Sequence, residues 1–202
     1  MAKAQQELQG AGVKVKTLQY DFGKLGSVSE YESFEKQLEN TVSGLDVCIL
    51  ANNAAEFQQQ ALNVAPVSVI LRASNVNCHA PAFLARYFLN KMLERHSKGY
   101  KSAIINVGTC AAEIQNPRYQ FAIYGASKSY LHILSSGMQE WYGDKIDIMT
   151  VVPRQTSTPM NPANFKYTIT PETHAKAVVD QLGYEKQTYG AFVHDLEYQM
   201  RF

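Results

Sequence analysis

Three short apolar runs constrain what this chain can fold into. They are LDVCILA at residues 45–51, SAIINVG at 102–108 and DIMTVVP at 147–153. Continuous apolar runs of this length are typical of strands buried in a parallel sheet. Segments with helical character alternate with them, at residues 27–43, 75–96 and 120–142. The alternation predicts an α/β fold with a parallel sheet covered on both faces.

The first twenty residues predict a helix followed by a strand. Residues 2–9 are strong helix formers, and Gly10 and Gly12 would end that helix. Residues 13–20, VKVKTLQY, alternate as a strand does. No repeat or linker divides the chain, so we expect one domain over residues 1–202.

Composition excludes several classes of protein. Of the 202 residues, 46% are hydrophobic and 18% are charged, which suits a globular domain with a core. The net charge is +1 with both signs spread along the chain, so we expect no nucleic-acid partner. No apolar run approaches the roughly 18 to 20 residues of a membrane span, and the start lacks the apolar core of a signal peptide.

The cysteines and histidines predict neither disulfides nor a metal site. Cys48, Cys78 and Cys110 are far apart and lack CxxC or ligand spacing. We interpret them as thiols of an intracellular protein whose compartment the sequence does not identify. The five histidines also lack metal-ligand spacing, so no metal is expected.

One motif, YGASK at residues 124–128, carries candidate chemistry. Positions i and i+4 share a helix face, so Lys128 would lie beside the Tyr124 hydroxyl. A neighbouring ammonium favours the ionised phenol and predicts a lowered pKa for Tyr124. The alternative is a solvated surface pair. The same spacing recurs in two further pairs, Tyr20 with Lys24 and Tyr87 with Lys91.

Ligands of open parallel sheets bind at the carboxyl ends of the strands, so the residues that follow each predicted strand are candidates. These are Asp21, Asn52, Asn53, Ala54, Thr109, Pro153 and Thr158. Alternatives without chemistry stay open at this point. Asp21 would cap or turn the chain, Asn52 and Asn53 would form a polar turn, and Thr109 would be an ordinary strand-end hydroxyl.

Taken in order, these motifs resemble the short-chain dehydrogenase/reductase family over nearly the whole chain. ANNAA at 51–55 resembles the family's NNAG, and NVN at 75–77 resembles the helix that carries its catalytic Asn. IINVGT at 104–109 resembles the strand that ends in its catalytic Ser, YGASK its YxxxK, and PRQTSTPM at 153–160 its PGxxxT loop. The resemblance implies a Rossmann-like, doubly wound parallel sheet.

Three further segments resemble one branch of that family, the very-long-chain 3-oxoacyl-CoA reductases and related 17β-hydroxysteroid dehydrogenases. They are ERHSKG at 94–99, TPMNPA at 158–163 and the ending that starts TPETHAKAVV at 170. Members of this branch are often found at the endoplasmic reticulum.

The resemblance implies roles for four catalytic residues. Tyr124 would give a proton to a carbonyl oxygen, while Lys128 would lower the pKa of Tyr124 and hold the ribose of the cofactor. Thr109 would polarise the carbonyl, and Asn77 would hold a water in a proton relay. The small residues between Tyr124 and Lys128 would let the ribose approach the helix.

The cofactor that the resemblance implies is NAD(P)H. Asp21 would touch the adenine, and Thr158 would touch the nicotinamide amide. The remaining residues on the cofactor side would be Asn52, Asn53, Ala54, Lys128 and Pro153.

Four features depart from the family's pattern. The chain contains no GxxxGxG turn between a strand and a helix, which is the element that would hold a pyrophosphate. Thr109 stands where Ser is usual, and it lies further from Tyr124 than is usual. Arg154 replaces the Gly of the PG loop, and Ala55 replaces the Gly of NNAG.

We therefore expect the first β-α-β unit of the fold to be missing. The strand at 13–20 would then have no neighbour, and the strand at 46–51 would have an open edge that invites pairing with another chain. A protein partner or a second copy would dock at this edge or on the outer faces of the two long helices. Those helices carry the apolar residues Phe83, Tyr87, Leu131 and Leu134.

Two functions stay open. One is a silent or partner-dependent relative that serves as a structural subunit of a larger assembly. The other is an active NADP(H)-dependent ketone reductase, of 3-oxoacyl-CoA or hydroxysteroid type, whose missing part comes from elsewhere. In both cases we expect the isolated chain to bind NAD(P)H poorly or not at all, because nothing replaces the pyrophosphate turn.

Overall fold

The structure is a computed structural model that describes residue 8 and residues 12–113, 121–159, 162 and 166–200. Its helices are α1 (Val28–Val42), α2 (Val67–Ser74), α3 (Ala80–Ser97), α4 (Ala122–Tyr142), α5 (Pro171–Gln181) and α6 (Phe192–Gln199). Its strands are β1 (Ile49–Asn52), β2 (Ala103–Val107), β3 (Asp147–Val151) and β4 (Gln187–Thr188).

The four described strands form one parallel sheet in the order β1-β2-β3-β4. The first three lie within the apolar runs, so the α/β class and the parallel sheet are confirmed. β2 and β3 are buried almost throughout. β1 alternates instead: Leu50 and Asn52 are buried, whereas Ile49 and Ala51 are exposed. Among the described strands, β1 therefore has both an uncovered face and an unpaired edge.

The prediction of a strand at 13–20 is wrong. The segment belongs to no sheet and forms no bridge. Leu18 and Tyr20 nevertheless pack against the core, and the Lys16 ammonium donates a hydrogen bond to the Thr41 carbonyl. The physical reason is that β1 pairs only with β2, so no described strand lies beside this segment to share a hydrogen-bond ladder. The helix predicted at 2–9 lies outside the described residues, except for residue 8.

The helix predicted at 75–96 is one part of a longer helical stretch. α2 leads into a π-helical turn, Asn75–His79, and then into α3. Pro81 explains the wide turn, since a proline has no N–H to donate and its ring would clash with the Asn77 carbonyl in a regular helix. The Ala80 N–H bonds to the Asn75 carbonyl across the turn. Asn77 therefore sits in the middle of an irregular turn.

The apolar residues that suggested an interface belong to the core. Leu131 is 1% exposed, and Phe83, Tyr87 and Leu134 pack partly buried against the main cluster around Phe88, Met92 and Ile104. The expectation that these four residues lie on the outer faces of the two long helices is therefore wrong. The large apolar side chains that α4 does expose are Tyr130, Ile133 and Trp141. None of the described helices is long and apolar enough to cross a membrane.

Candidate active site

Tyr124 and Thr109 meet at the carboxyl end of β2. Thr109 follows the strand and caps the turn Cys110–Ala112, its hydroxyl accepting a hydrogen bond from the Ala111 N–H at 3.3 Å. Tyr124 projects from the first turn of α4, and its phenol lies close enough to the Thr109 side chain for Thr109 to lower the pKa of the phenol. The two hydroxyls therefore lie within reach of one carbonyl oxygen.

A glycine permits this approach. A Cβ placed on Gly125 would lie 3.2 Å from the Ala111 carbonyl oxygen, so a side chain there would push α4 away from the turn that carries Thr109. Of the three small residues between Tyr124 and Lys128, only Ala126 is exposed. The smallness of Gly125 thus serves helix packing, and the approach of a ribose stays a prediction.

Burial dominates the electrostatics of Tyr124. It raises the pKa of the phenol, and the hydrogen bond with Thr109 offsets part of that increase. The ring of Phe57 packs edge-on against the Tyr124 ring with centroids 5.0 Å apart, which adds to the burial. The prediction that Lys128 lowers the pKa of Tyr124 is wrong for this arrangement, since the pKa is raised and Lys128 is not among its causes.

Lys128 is a buried amine beside the end of β2. It is 2% exposed, and its ammonium donates a hydrogen bond to the Val107 carbonyl at 2.7 Å. Burial lowers its pKa from 10.5 to about 8, with a small opposing effect from the Cys78 thiol. A lysine in this state exchanges its proton near neutral pH.

Asn77 is held on every side. Its Oδ1 accepts from the Glu56 N–H at 2.8 Å, and its Nδ2 donates to the Glu56 carbonyl and to the Ser127 hydroxyl, each at 2.9 Å. Ser127 in turn donates to the Tyr124 carbonyl at 2.8 Å. Both amide protons are used and one lone pair of Oδ1 is left. Asn77 therefore joins the loop after β1 to the helix that carries Tyr124.

A buried polar chain runs beneath the site. Asn52 donates to the Asn106 amide oxygen, and Asn106 donates to the Ser135 hydroxyl, both at 2.8 Å. These contacts connect β1, β2 and α4. The Asn52 Oδ1 atom is buried without a partner among the described residues. It lies beside a cavity of about 140 Å³ that Phe22, Asn53, Ala54, Val76, Leu84 and other residues line.

Asp21 caps a short turn and also forms an ion pair. Its carboxylate accepts from the Gly23 N–H at 3.0 Å, and Arg72 donates to both carboxylate oxygens at 3.0 and 3.1 Å. The Arg72 guanidinium lowers the pKa of Asp21, followed by the Gly23 hydrogen bond. Arg72 also binds Glu56 at 3.1 Å. The interpretation of Asp21 as a cap is confirmed, and its contact with an adenine stays a prediction.

The loop after β3 begins next to the site. The Pro153 carbonyl accepts from the Cys110 N–H at 3.2 Å, which places it next to the Thr109 turn. Arg154 turns away from the site into an ion pair with Glu197 of α6 at 3.1 Å, with both side chains 7% exposed. Thr158 lies half-buried further along the loop. Because Glu197 holds the Arg154 side chain, Arg154 is compatible with a ligand above the sheet.

Several contact residues were not found from the sequence. Sequence signals existed for Glu56 and Phe57, which directly follow the ANNAA motif, and for Asn106, which sits inside the strand motif. Arg72 was missed because the helix was predicted to begin after it. These residues position Asn77, Tyr124, Asn52 and Asp21.

The fold and these motifs define a family. A family model described as short chain dehydrogenase matches residues 1–168. The chain belongs to the short-chain dehydrogenase/reductase family, which confirms the likeness seen in the sequence.

Curated relatives match the chain over part of their length. A very-long-chain 3-oxoacyl-CoA reductase-like protein of Arabidopsis thaliana is 28% identical over 197 residues, covering 92% of this chain and 59% of that protein. Inactive hydroxysteroid dehydrogenase-like protein 1 of Mus musculus is 30% identical over 164 residues, covering 76% of this chain and 47% of that protein. The chain thus spans about half the length of these relatives.

Solved structures share the fold. The NADPH-bound carbonyl reductase from chicken fatty liver superposes with a TM-score of 0.75 at 19% identity, covering 91% of this chain and 75% of that one. At that identity the likeness supports the Rossmann-like fold alone.

Proposed function

We propose that this chain holds the proton-transfer half of a nicotinamide-dependent ketone reductase and works only with a polypeptide partner. The observation that carries the proposal is that Thr109, capping the turn after β2, lies close to the Tyr124 phenol, while Lys128 on the same helix is buried against the Val107 carbonyl at the end of β2. A carbonyl oxygen placed between the two hydroxyls would take a hydrogen bond from each. Tyr124 would then donate its proton as negative charge develops on that oxygen.

The state of Lys128 supports this assignment. Its lowered pKa of about 8 makes the amine ready to lose and regain a proton near neutral pH. NAD(P)H, when bound, supplies the hydride. The described residues fit such a cofactor on its ribose and nicotinamide side, where Lys128, Tyr124 and the start of the loop at Pro153 converge. Asp21 and the cavity lined by Phe22 and Ala54 offer room for the adenine.

The fit fails at the pyrophosphate. A dianionic pyrophosphate needs several backbone N–H donors at a helix N-terminus. Among the described strands only β4 runs closely into a helix, and that connection carries the single glycine Gly190. No described residue therefore replaces the glycine-rich turn, and the proposal assigns the missing donors to polypeptide outside the described residues.

The edge of β1 is where that polypeptide would dock. Its backbone is unpaired on one side, Ile49 is 50% exposed and the buried Asn52 Oδ1 lacks a donor. An added parallel strand would pair with this edge, cover it and bring an N–H to Asn52.

A second copy of the chain on the outer face of α4 would be a separate contact. The exposed apolar side chains of Tyr130, Ile133 and Trp141 favour it.

The proposed substrates are ketones of the 3-oxoacyl thioester or hydroxysteroid type, on the likeness to the Arabidopsis relative. The test is reduction of such ketones with NADPH, measured with the chain alone and with an added strand–GxxxGxG–helix–strand unit from a related reductase. We expect turnover only in the mixture, and Tyr124→Phe should lower it by about 10²- to 10⁴-fold while Tyr87→Phe should not. Equal turnover with and without the added unit would contradict partner dependence.

A second candidate is a silent structural subunit. It is favoured by the raised pKa of Tyr124, which disfavours the phenolate, and by the likeness to an inactive relative. In that case the mixture would assemble, as followed by size-exclusion chromatography, without any turnover. Assembly is expected of both candidates, so turnover in the assembled complex separates them, because it is expected of the first alone.

A further inference from the structure

The C-terminal part of the chain contacts the two loops that border the candidate site. Glu113, just after the Cys110–Ala112 turn, accepts hydrogen bonds from the Gln187 amide at 2.8 Å and from the Tyr189 hydroxyl at 3.1 Å. The Tyr189 ring stacks on Tyr198 of α6 with centroids 4.5 Å apart. Two hydrogen bonds therefore join the loop after β2 to β4 and to Tyr189, which follows β4.

His194 fastens the loop after β3 in the same way. Its ring is 0% exposed, and its two nitrogens face two backbone carbonyls: Nδ1 lies 3.2 Å from the Tyr189 oxygen and Nε2 lies 3.2 Å from the Gln155 oxygen. A carbonyl oxygen can only accept, so each nitrogen must donate. A neutral imidazole has a single N–H, whereas an imidazolium has two. Only the imidazolium satisfies both contacts.

The neighbouring histidine provides an internal contrast. His174 of α5 places only Nε2 against a carbonyl, that of Tyr189, at 3.2 Å. A neutral ring satisfies this contact. The two rings lie 5.6 Å apart, and burial followed by the charge of His194 lowers the pKa of His174. A charged His194 beside a neutral His174 avoids the repulsion that two charged rings would have.

Charged groups surround His194 on several elements. Its own helix contributes Asp195, whose pKa is raised by burial and lowered in part by His194, and Glu197, which is paired with Arg154 from the loop after β3. His174 faces it from α5, and Glu113 belongs to the same side of the domain through Tyr189. The acidic groups on α6 favour a cation at this position.

We propose that His194 is a positioning residue that, as an imidazolium, latches the loop of residues 153–158 to the C-terminal helix. The loop begins at Pro153 beside the Thr109 turn and carries Thr158, so the latch sets the edge of the candidate site. Loss of the Nε2 proton removes the hydrogen bond to the Gln155 carbonyl, and loss of the Nδ1 proton removes the one to the Tyr189 carbonyl. The latch follows from the contacts of His194 alone and holds for either candidate function.

The direct test is the protonation of the ring nitrogens, read by nitrogen–proton NMR of the histidine side chains of the unmodified chain at neutral pH. We expect His194 to show two protonated nitrogens and His174 to show one. Removing each signal in turn with His194→Gln and His174→Gln gives the assignment. An unprotonated nitrogen on His194 at neutral pH overturns the proposal.

Hydrogen exchange tests the effect on the loop. The reporters are the Ser157 N–H, bonded to the Ile169 carbonyl, and the Ile169 N–H, bonded to the Gln155 carbonyl. We expect exchange at both amides to accelerate by about tenfold or more in His194→Gln, because a charge-assisted hydrogen bond is lost. The matched variant His174→Gln should change them less. Equal acceleration in both variants would show a structural role without a latch.

Discussion

Two Tyr–Lys pairs with the same spacing lie in opposite surroundings. Tyr124 and Lys128 point into the end of β2, where the lysine is buried and burial lowers its pKa to about 8. Tyr87 and Lys91 lie on α3 and both bind the Glu39 carboxylate, with the Lys91 ammonium 4.9 Å from the Tyr87 ring centroid. The hydrogen bond to Glu39 raises the pKa of Lys91.

The difference shows that the sequence spacing brings the phenol and the ammonium close together, whereas the surrounding groups set the pKa of the lysine. The i, i+4 relation places a phenol and an ammonium on one helix face in both pairs. At Lys91 a carboxylate and solvent stabilise the charge. At Lys128 burial destabilises the charge, and among the described residues the Val107 carbonyl is the hydrogen-bond partner of the amine. In the third pair, Tyr20 packs on Phe34 with ring centroids 4.5 Å apart.

The largest difference between the two pairs is expected in catalysis. In the assembled complex, Tyr124→Phe should lower the rate of ketone reduction by about 10²- to 10⁴-fold, the usual contribution of a general acid. Tyr87→Phe should leave the rate unchanged, because its hydroxyl contacts only Glu39 and its surroundings at the surface. Steady-state kinetics on both variants decides the matter, and similar rates for the two would remove the distinction.

A second difference concerns stability as a function of pH. The pKa of Lys128 is lower in the folded state than the unfolded value of 10.5, so burying the cation costs up to about 3 kcal/mol below pH 8. Between about 8 and 10.5 the folded state loses its proton first, and the cost disappears as the pH rises. The unmodified chain should therefore gain stability relative to Lys128→Met over this range.

Urea unfolding of both proteins at a series of pH values from neutral to alkaline measures this difference. Other titrating groups cancel because they are common to the two chains. Lys91→Met is the control and should show no such gain, since the pKa of Lys91 is raised. A difference between the unmodified chain and Lys128→Met that stays constant with pH would mean that Lys128 is not buried as a cation.

A smaller effect is expected at Thr109. Thr109→Val keeps the shape of the side chain and removes the hydroxyl that lowers the pKa of Tyr124. The pKa of Tyr124 should rise further, as followed by ultraviolet titration against Tyr124→Phe. Turnover in the complex should fall less than it does in Tyr124→Phe. An unchanged pKa would show that the two hydroxyls do not interact.

The smallest effect is expected from the surface pair. Lys91→Met removes one hydrogen bond to Glu39 in a solvated setting where such pairs contribute little. Thermal unfolding should shift no more than it does for an unrelated exposed lysine such as Lys101. A large loss of stability would mean that this pair is not the inert counterpart of Tyr124 and Lys128.

Much of the fold could be predicted from local patterns. Continuous apolar runs predicted β2 and β3, because parallel strands buried on both faces leave little choice of residue. The run at 45–51 also predicted β1, although one face of that strand is exposed. The same logic failed at 13–20, where alternation was correct for a strand but no described neighbour offers a ladder. A strand depends on its partner, and the local sequence does not contain that information.

The positions of the candidate site residues could be predicted from the sequence, whereas their pKa values could not. Thr109, Tyr124, Lys128 and Asn77 converge because motifs at strand ends and on facing helices meet at one edge of the sheet. The raised pKa of Tyr124 was missed because it depends on Phe57 and on burial by distant segments. C-terminal elements such as β4 carry no strong pattern, since a two-residue strand has no periodicity.

The central claim is that the described residues assemble the proton-transfer groups but do not supply the backbone N–H donors that a pyrophosphate needs. Titration of the purified chain with NADPH, followed by nucleotide fluorescence or heat, tests it most directly. We predict no saturation in the low micromolar range for the chain alone. A dissociation constant in that range, with no added polypeptide, would contradict the account.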